Sequence, residues 1–333
     1  MYMQKDNSAN EWNCELNELR AEATVRYLSS NNFIIPTKCI QDLEKKLMMW
    51  SKIGATGACI WGRPRLGKSF SIQYIASKFK EKYGENFPVV IWNVTDHPPK
   101  ERSFYASILL EMGLSAPKSM TAIYLKEKLI NHIKVMAYET KLRRVIFLID
   151  EAWQLQLCDF SWLMDLYNNL ALENVHFTCF LFGTKQLKDL KGQLQCAGMD
   201  QIVERFMIKE EVFFGLTNAQ EMAFCLYELD RTNARDENNI ELNESLIKFF
   251  FPYADNHTFT ELANDYWNAF KIIRQQYGVK PQDIPMKYFM DSFNILLLTY
   301  GKNGSSPVSF PTKTELIECV KESGYGYSGA NNG

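Results

Sequence analysis

A chain of 333 residues, 46% hydrophobic and 23% charged, is too long for one small module and too apolar to be disordered; it predicts two packed units, or one large domain with an appendage. Its 37 basic and 39 acidic residues leave a formal charge of −2, which excludes a polycation and, taken alone, discounts nucleic acid as a partner. The eight cysteines include no CxxC pair and none in zinc-ligand spacing with the four histidines; no apolar run follows a basic start at the N-terminus, and uninterrupted apolar stretches such as 145–149 fall far short of the ~18 residues a membrane span needs, so a reduced, cytoplasmic protein with no membrane partner is expected.

Residues 11–30 carry Leu16, Leu19, Ala23 and Tyr27 at helical spacing, and Phe33-Ile34-Ile35-Pro36 forms an apolar link to a second helix near 38–50. Short apolar runs then alternate with helical patterns. Residues 57–61 precede a helix from Lys68, residues 88–94 precede helices near 101–112 and 122–138, and runs at 145–149 and 176–182 enclose a helix over 160–172. This alternation predicts a mostly parallel sheet covered on both faces. Beyond about Glu211 the strands are expected to stop. Thr217-Asn-Ala-Gln220 reads as a capping box before a helix over 221–230, and further helices are predicted over 243–251, 258–277 and 285–300. Residues 300–311 read as a linker and 313–322 as a short amphipathic piece, either passive or able to dock a partner. A low-complexity tail, SGYGYSGANNG, starts at Ser323 and is expected to be mobile.

The strongest local pattern is Gly62-Arg63-Pro64-Arg65-Leu66-Gly67-Lys68-Ser69, continuing into Phe70: a full GxxxxGK[ST] match between a predicted strand and a predicted helix. Glycines let the backbone wrap a phosphate, whose charge meets exposed N–H groups and the positive end of the helix dipole. Lys68 would reach the β- and γ-phosphates of ATP, and the Ser69 hydroxyl would help hold Mg²⁺. Residues 145–149 then end in Asp150-Glu151, a Walker B pattern 82 residues after the lysine. Asp150 can hold the metal shell, and Glu151 can polarise a water for attack on the γ-phosphate. Thr184, after the next predicted strand, either orients that water or simply ends the strand. Arg205 either serves as a finger presented to a neighbouring subunit's γ-phosphate or forms a surface salt bridge.

This ordered set resembles an AAA+ ATPase, and more narrowly the TniB/TnsC group of transposition regulators. The carriers are the Phe33-Ile-Ile-Pro36 link, WGRPRLGKS, PVVIWNVTDHPP, FLIDEAWQL, FLFGTKQL and VERF, spread over 33–277. The resemblance implies an α/β P-loop NTPase with a three-layer core and a small α-helical lid. The expected division is an N-terminal helical segment and linker (1–36), the core (37–210), the lid (211–300) and a partly disordered tail (301–333). It also implies ATP-promoted assembly into rings or helical filaments on double-stranded DNA, with a transposase and target-selection proteins as partners in a bacterial cytosol. By this analogy Arg205 acts in trans, while Phe33, Ile34 and Pro36 either pack near the adenine or are a packed linker. One departure is that residues 255–263 lack the Gly-x-x-Arg that many AAA+ proteins use as a second nucleotide sensor. Replication initiators, helicase loaders and nucleotide-switched signalling ATPases share the Walker motifs and remain alternatives.

The charge is not spread evenly. Residues 61–144 hold fifteen basic against seven acidic side chains, an excess of eight positive charges hidden by the neutral total. Two loops in this segment flank a predicted helix and carry Lys100, Arg102, Lys118 and Thr121. In the resembled family the equivalent loops follow a DNA backbone, so these four are the DNA-contact candidates; a solvated helix face is the plainer alternative.

Overall fold

The computed structural model describes residues 5–328, with side chains from residue 16 onward. In chain order the elements are α1 (Lys5–Leu28), α2 (Lys38–Lys52), β1 (Gly57–Trp61), α3 (Lys68–Tyr83), β2 (Val89–Asn93), α4 (Glu101–Glu111) and α5 (Ala122–Tyr138). There follow β3 (Arg144–Asp150), α6 (Leu157–Leu172), β4 (His176–Gly183), α7 (Gln186–Cys196), α8 (Asp200–Phe206) and β5 (Glu210–Val212). The remainder comprises α9 (Ala219–Asp230), β6 (Asn233–Arg235), β7 (Glu241–Ser245), α10 (Leu246–Phe250), α11 (Ala263–Tyr277), α12 (Met286–Tyr300) and α13 (Lys313–Glu322). These elements form two units: Cys39–Pro64 with Lys68–Phe213, and Met1–Lys38 with Arg65–Gly67 and Phe214–Gly333.

The first unit holds a five-stranded sheet in the order β2-β3-β4-β1-β5, every pairing parallel. Parallel strands need crossovers, and the intervening helices cover both faces, so central strands are apolar throughout instead of alternating. Val145 to Ile149 of β3 are all 0% exposed. By contrast, β2 at the edge buries only Val90 and Trp92 of its five residues. This is the expected α/β three-layer core, an AAA+ P-loop NTPase fold. Gly57 fits a close approach: a Cβ there would lie 2.7 Å from the Phe206 carbonyl oxygen of α8 and 2.9 Å from the Cys179 carbonyl oxygen of β4. β5 escapes a sequence reading because its Glu-Glu-Val is neither apolar nor alternating.

The second unit departs from expectation in four respects. The N-terminal segment is not separate: Ala21, Leu28 and Ile35 join this unit's core, and the Thr24 hydroxyl exchanges hydrogen bonds with the Arg235 backbone, accepting from N at 2.8 Å and donating to O at 3.2 Å. Strands do not stop at Glu211, since β6 and β7 form an antiparallel pair. Pairing of β7 also delays the helix predicted from 243 until Leu246. The capping box is shifted by one residue, because extended Asn218 accepts from the Glu221 N–H while the Glu221 carboxylate accepts from Thr217 N and Oγ1. Finally, the expected passive tail is structured through residue 328. α13 buries Leu316, Cys319 and Val320, and Tyr325 accepts at its hydroxyl from Arg274 Nε at 3.0 Å. The last residues of the low-complexity stretch, 329–333, lie outside the described residues.

Candidate functional site

The sheet order places β4 between β1 and β3. Because all three run parallel, the loop after β1, the acids ending β3 and Thr184 after β4 emerge at one edge, where open α/β sheets bind ligands. The Gly62 N–H donates to the Gly183 carbonyl at 3.2 Å, fixing the start of the phosphate loop to the end of β4.

The loop then turns through left-handed backbone at Arg65 (φ 67°) and Gly67 (φ 102°) and enters α3 at Lys68. Leu66 is buried, Pro64 and Arg65 are exposed, and Arg63 and Phe70 are half-buried. Within the second unit, Arg65 Nη1 donates to the Tyr288 hydroxyl at 2.9 Å and the Arg65 carbonyl accepts from Lys287 N at 3.2 Å. Lys68 is 7% exposed and donates from Nζ to the carbonyls of Gly62 at 3.1 Å and Arg63 at 2.8 Å. Burial pushes its ammonium below the usual range, opposed by the carboxylates of Glu151 and Asp150. A phosphate offers that charge a far stronger acceptor than two carbonyls.

Ser69 Oγ donates to Asp150 Oδ2 at 2.5 Å, and the Glu151 N–H donates to Asp150 Oδ1 at 2.9 Å. A hydroxyl and a carboxylate in direct contact are hard oxygen ligands of the kind Mg²⁺ takes, so these residues fit the metal the sequence implies. Among the described residues no group of three or more His, Cys, Asp or Glu is placed to hold a metal. Glu151 itself is left-handed (φ 51°) and precedes the short 3₁₀ turn Ala152–Gln154. Its carboxylate accepts from the indole N–H of Trp153. Thr184 Oγ1 donates to Gln186 Oε1 at 3.0 Å.

Other candidates lie farther along the chain. Arg205 lies in the last turn of α8 with its guanidinium 4.4 Å from the Tyr167 ring centroid. In the second unit Phe33 packs on Tyr27 with ring centroids 5.6 Å apart, Ile35 is buried, and Ile34 and Pro36 are half-buried. The two candidate DNA loops meet at one end of α4, because Arg102 reaches back to the second loop. Its Nε donates to Met120 O at 3.0 Å and its Nη2 to Pro117 O at 2.7 Å. Lys100 and Lys118 are exposed, whereas Thr121 caps α5, accepting from Tyr124 N. The first loop is latched as well. His97 Nε2 lies 3.1 Å from Asp159 Oδ1, its Nδ1 is bonded to Thr95 O, and Gln156 Nε2 donates to the His97 carbonyl.

Sequence reasoning did not find Trp153, Gln186, His97 or Asp159 as parts of this region. His97, Trp153 and Gln186 stand in the stretches PVVIWNVTDHPP, FLIDEAWQL and FLFGTKQL with no role of their own assigned there, and Asp159 lies outside them.

A phosphate loop and an adjacent acid pair at the switch of such a sheet are the parts of a P-loop NTPase fold. Residues 53–190 match the family model described as an AAA domain. No protein of curated function matches the chain. Solved structures similar to it include the ORC2 protein of Aeropyrum pernix in its ADP form, at 12% identity over 89% of this chain and 95% of that one, with a TM-score of 0.43. Cdc6p from Pyrobaculum aerophilum shows 15% identity over 86% and 79%, TM-score 0.41. AMPPCP-bound DnaA from Aquifex aeolicus shows 11% identity over 90% of both chains, TM-score 0.34. At these identities and scores the likenesses bear on no function of this chain. Among the described residues no helix is long and apolar enough to cross a membrane.

Proposed function

We propose that the chain binds and hydrolyses ATP and uses the cycle as a switch for assembly on double-stranded DNA, as a regulator of transposition. The observation that carries the nucleotide reading is the direct Ser69–Asp150 bond beside buried Lys68, at the edge where β1 and β3 end on either side of β4. Backbone N–H groups of the loop and Lys68 would hold the phosphates, and Ser69 and Asp150 would hold Mg²⁺, which supplies charge neutralisation on the phosphate oxygens. Glu151 accepts a proton from the attacking water as the water oxygen bonds to the γ-phosphorus. The bond to the β–γ bridging oxygen breaks, and its electron pair leaves with ADP. Arg205 of a neighbouring copy would stabilise charge on the transferred group.

The DNA reading rests on the basic excess over residues 61–144 and on the two loops that Arg102 joins, which expose Lys100 and Lys118. Phosphate contacts from such loops are independent of base sequence, which suits a protein meeting many targets. The transposition reading rests on the motif resemblance; a transposase and target-selection proteins are its proposed partners, and a ring or helical filament its proposed assembly. Electron microscopy of Glu151→Gln with ATP and duplex DNA tests it. Rings or filaments are expected, and monomers under all conditions would contradict assembly. Stimulation of strand transfer by the transposase encoded beside this gene would separate transposition from replication.

A further inference from the structure

The proton-handling pair of the proposed hydrolysis, Glu151 and Thr184, sits at the ends of neighbouring strands, and each is held by a side chain to which the sequence assigns no role. The Trp153 indole donates its N–H to Glu151 Oε2. The same ring packs against β4: a Cβ on Gly183 would lie 3.5 Å from Trp153 Cδ1. One aromatic ring thus spans from the acid of β3 to the residue preceding Thr184. Thr184 Oγ1 in turn donates its only hydrogen to Gln186 Oε1 at 3.0 Å.

A water attacking phosphorus must direct a lone pair at it and can give both hydrogens to the protein. Two acceptors facing it are therefore better than a donor and an acceptor. A free hydroxyl at Thr184 could donate to the water and misdirect that lone pair; with its hydrogen given to Gln186 it can only accept. A free carboxylate at Glu151 could rotate; with one oxygen bonded to the indole it presents the other.

We propose that Trp153 is a positioning residue for hydrolysis, pinning one carboxylate oxygen of Glu151 so that the other, together with an acceptor-only Thr184 set by Gln186, orients the attacking water. This rests on the reading of Glu151 as the group that takes the water proton. The left-handed backbone of Glu151 fits such a pin, since a non-glycine residue at φ 51° is held there by surrounding contacts. Trp153 and Gln186 also line one open cleft of about 690 Å³.

The test uses the full chain and two readouts. In ¹⁵N-indole spectra of the protein without nucleotide, the resonance lost in Trp153→Phe identifies the Trp153 N–H. That resonance is expected to shift in Glu151→Ala; if it stays in place, the pin does not exist and the proposal falls. In steady-state ATP turnover, Trp153→Phe is expected to lower kcat roughly tenfold with KM within about twofold, as loss of orientation at a reacting group should. An unchanged kcat, or a change confined to KM, overturns the proposal. Gln186→Ala is expected to act in the same direction, and no change in its kcat would remove Gln186 from the account. Glu151→Gln distinguishes failure of the underlying reading: turnover equal to wild type in that variant overturns the role of Glu151, and the proposal with it.

Discussion

Ser69 Oγ donates to Asp150 Oδ2 at 2.5 Å, so the hydroxyl that follows the phosphate-loop lysine and the carboxylate that ends β3 meet directly. They are 81 residues apart in the chain. The contact exists because β1 and β3 flank β4 in one parallel sheet, which brings the loop after one and the last residue of the other to the same edge. Asp150→Asn keeps an oxygen that can accept from Ser69 but removes the charge a divalent cation needs. The variant should keep its melting temperature within a few degrees and lose about tenfold of the ATP affinity that Mg²⁺ adds, roughly 1.4 kcal/mol. Titration calorimetry with Mg²⁺ and with EDTA reads this, and an unchanged Mg²⁺ effect would remove Asp150 from the metal site.

Gly57 is a stability prediction free of any ligand. With backbone atoms of Phe206 and Cys179 inside 3.0 Å of a built Cβ, no side-chain rotation relieves the clash, so β1 or α8 must move. Gly57→Ala should cost about 2–4 kcal/mol, read as a lower urea midpoint. A midpoint equal to wild type would mean that α8 does not pack on β1 in this way.

The His97–Asp159 latch should depend on pH. Burial pushes the His97 imidazolium down, but the Thr95 carbonyl and the Asp159 carboxylate, with Asp96 nearby, outweigh it, and the net shift is upward. A histidine with a raised folded-state pKa adds stability that is fully present below its unfolded value, ~6.5, and is lost as pH rises through the folded value. His97→Gln, which cannot titrate, should be less stable than wild type by about 1 kcal/mol at pH 5.5, a gap that closes by pH 8.5. A gap that stays constant or widens with pH would show that the pair is not held by the charged imidazole.

The four DNA-contact candidates should separate into two kinds. Lys100 and Lys118 are exposed, so replacing both with alanine should weaken duplex binding about equally for all sequences. It should also reduce the slope of log K against log salt by about two, with little effect on melting temperature. Arg102 is engaged with the carbonyls of Ala116, Pro117 and Met120, so Arg102→Ala should first loosen the second loop, costing about 1–3 kcal/mol. Fluorescence anisotropy across a salt series and thermal unfolding measure both. Salt-independent binding by the double lysine variant and by wild type alike would exclude phosphate tracking by these loops.

The elements legible in the sequence are those whose chemistry is local. A phosphate loop must be glycines and a lysine in consecutive positions, and a central parallel strand must be apolar on both faces. The 62–69 loop and β3 therefore appear in the residues themselves. The hidden parts depend on distant partners. α13 has an ordinary amphipathic pattern, but nothing near it announces that Tyr325 will meet Arg274, 51 residues away. Asp159 looks like any residue in a first helical turn until the fold brings His97 to it. Trp153 sits beside Glu151 in sequence, yet its hydrogen bond requires the left-handed backbone that only the structure displays. The net charge of −2 hid the basic segment for a simpler reason, since summing over 333 residues erases position.

The central claim is that the edge formed by the loop, Lys68, Ser69, Asp150 and Glu151 is an ATPase site. The most direct measurement is ATP binding and phosphate release on one set of proteins: wild type, Lys68→Ala and Glu151→Gln. Wild type should bind and hydrolyse ATP, Lys68→Ala should bind at least about tenfold more weakly, and Glu151→Gln should bind as wild type with hydrolysis nearly abolished. ATP binding by Lys68→Ala equal to wild type, or phosphate release by Glu151→Gln at the wild-type rate, would contradict it.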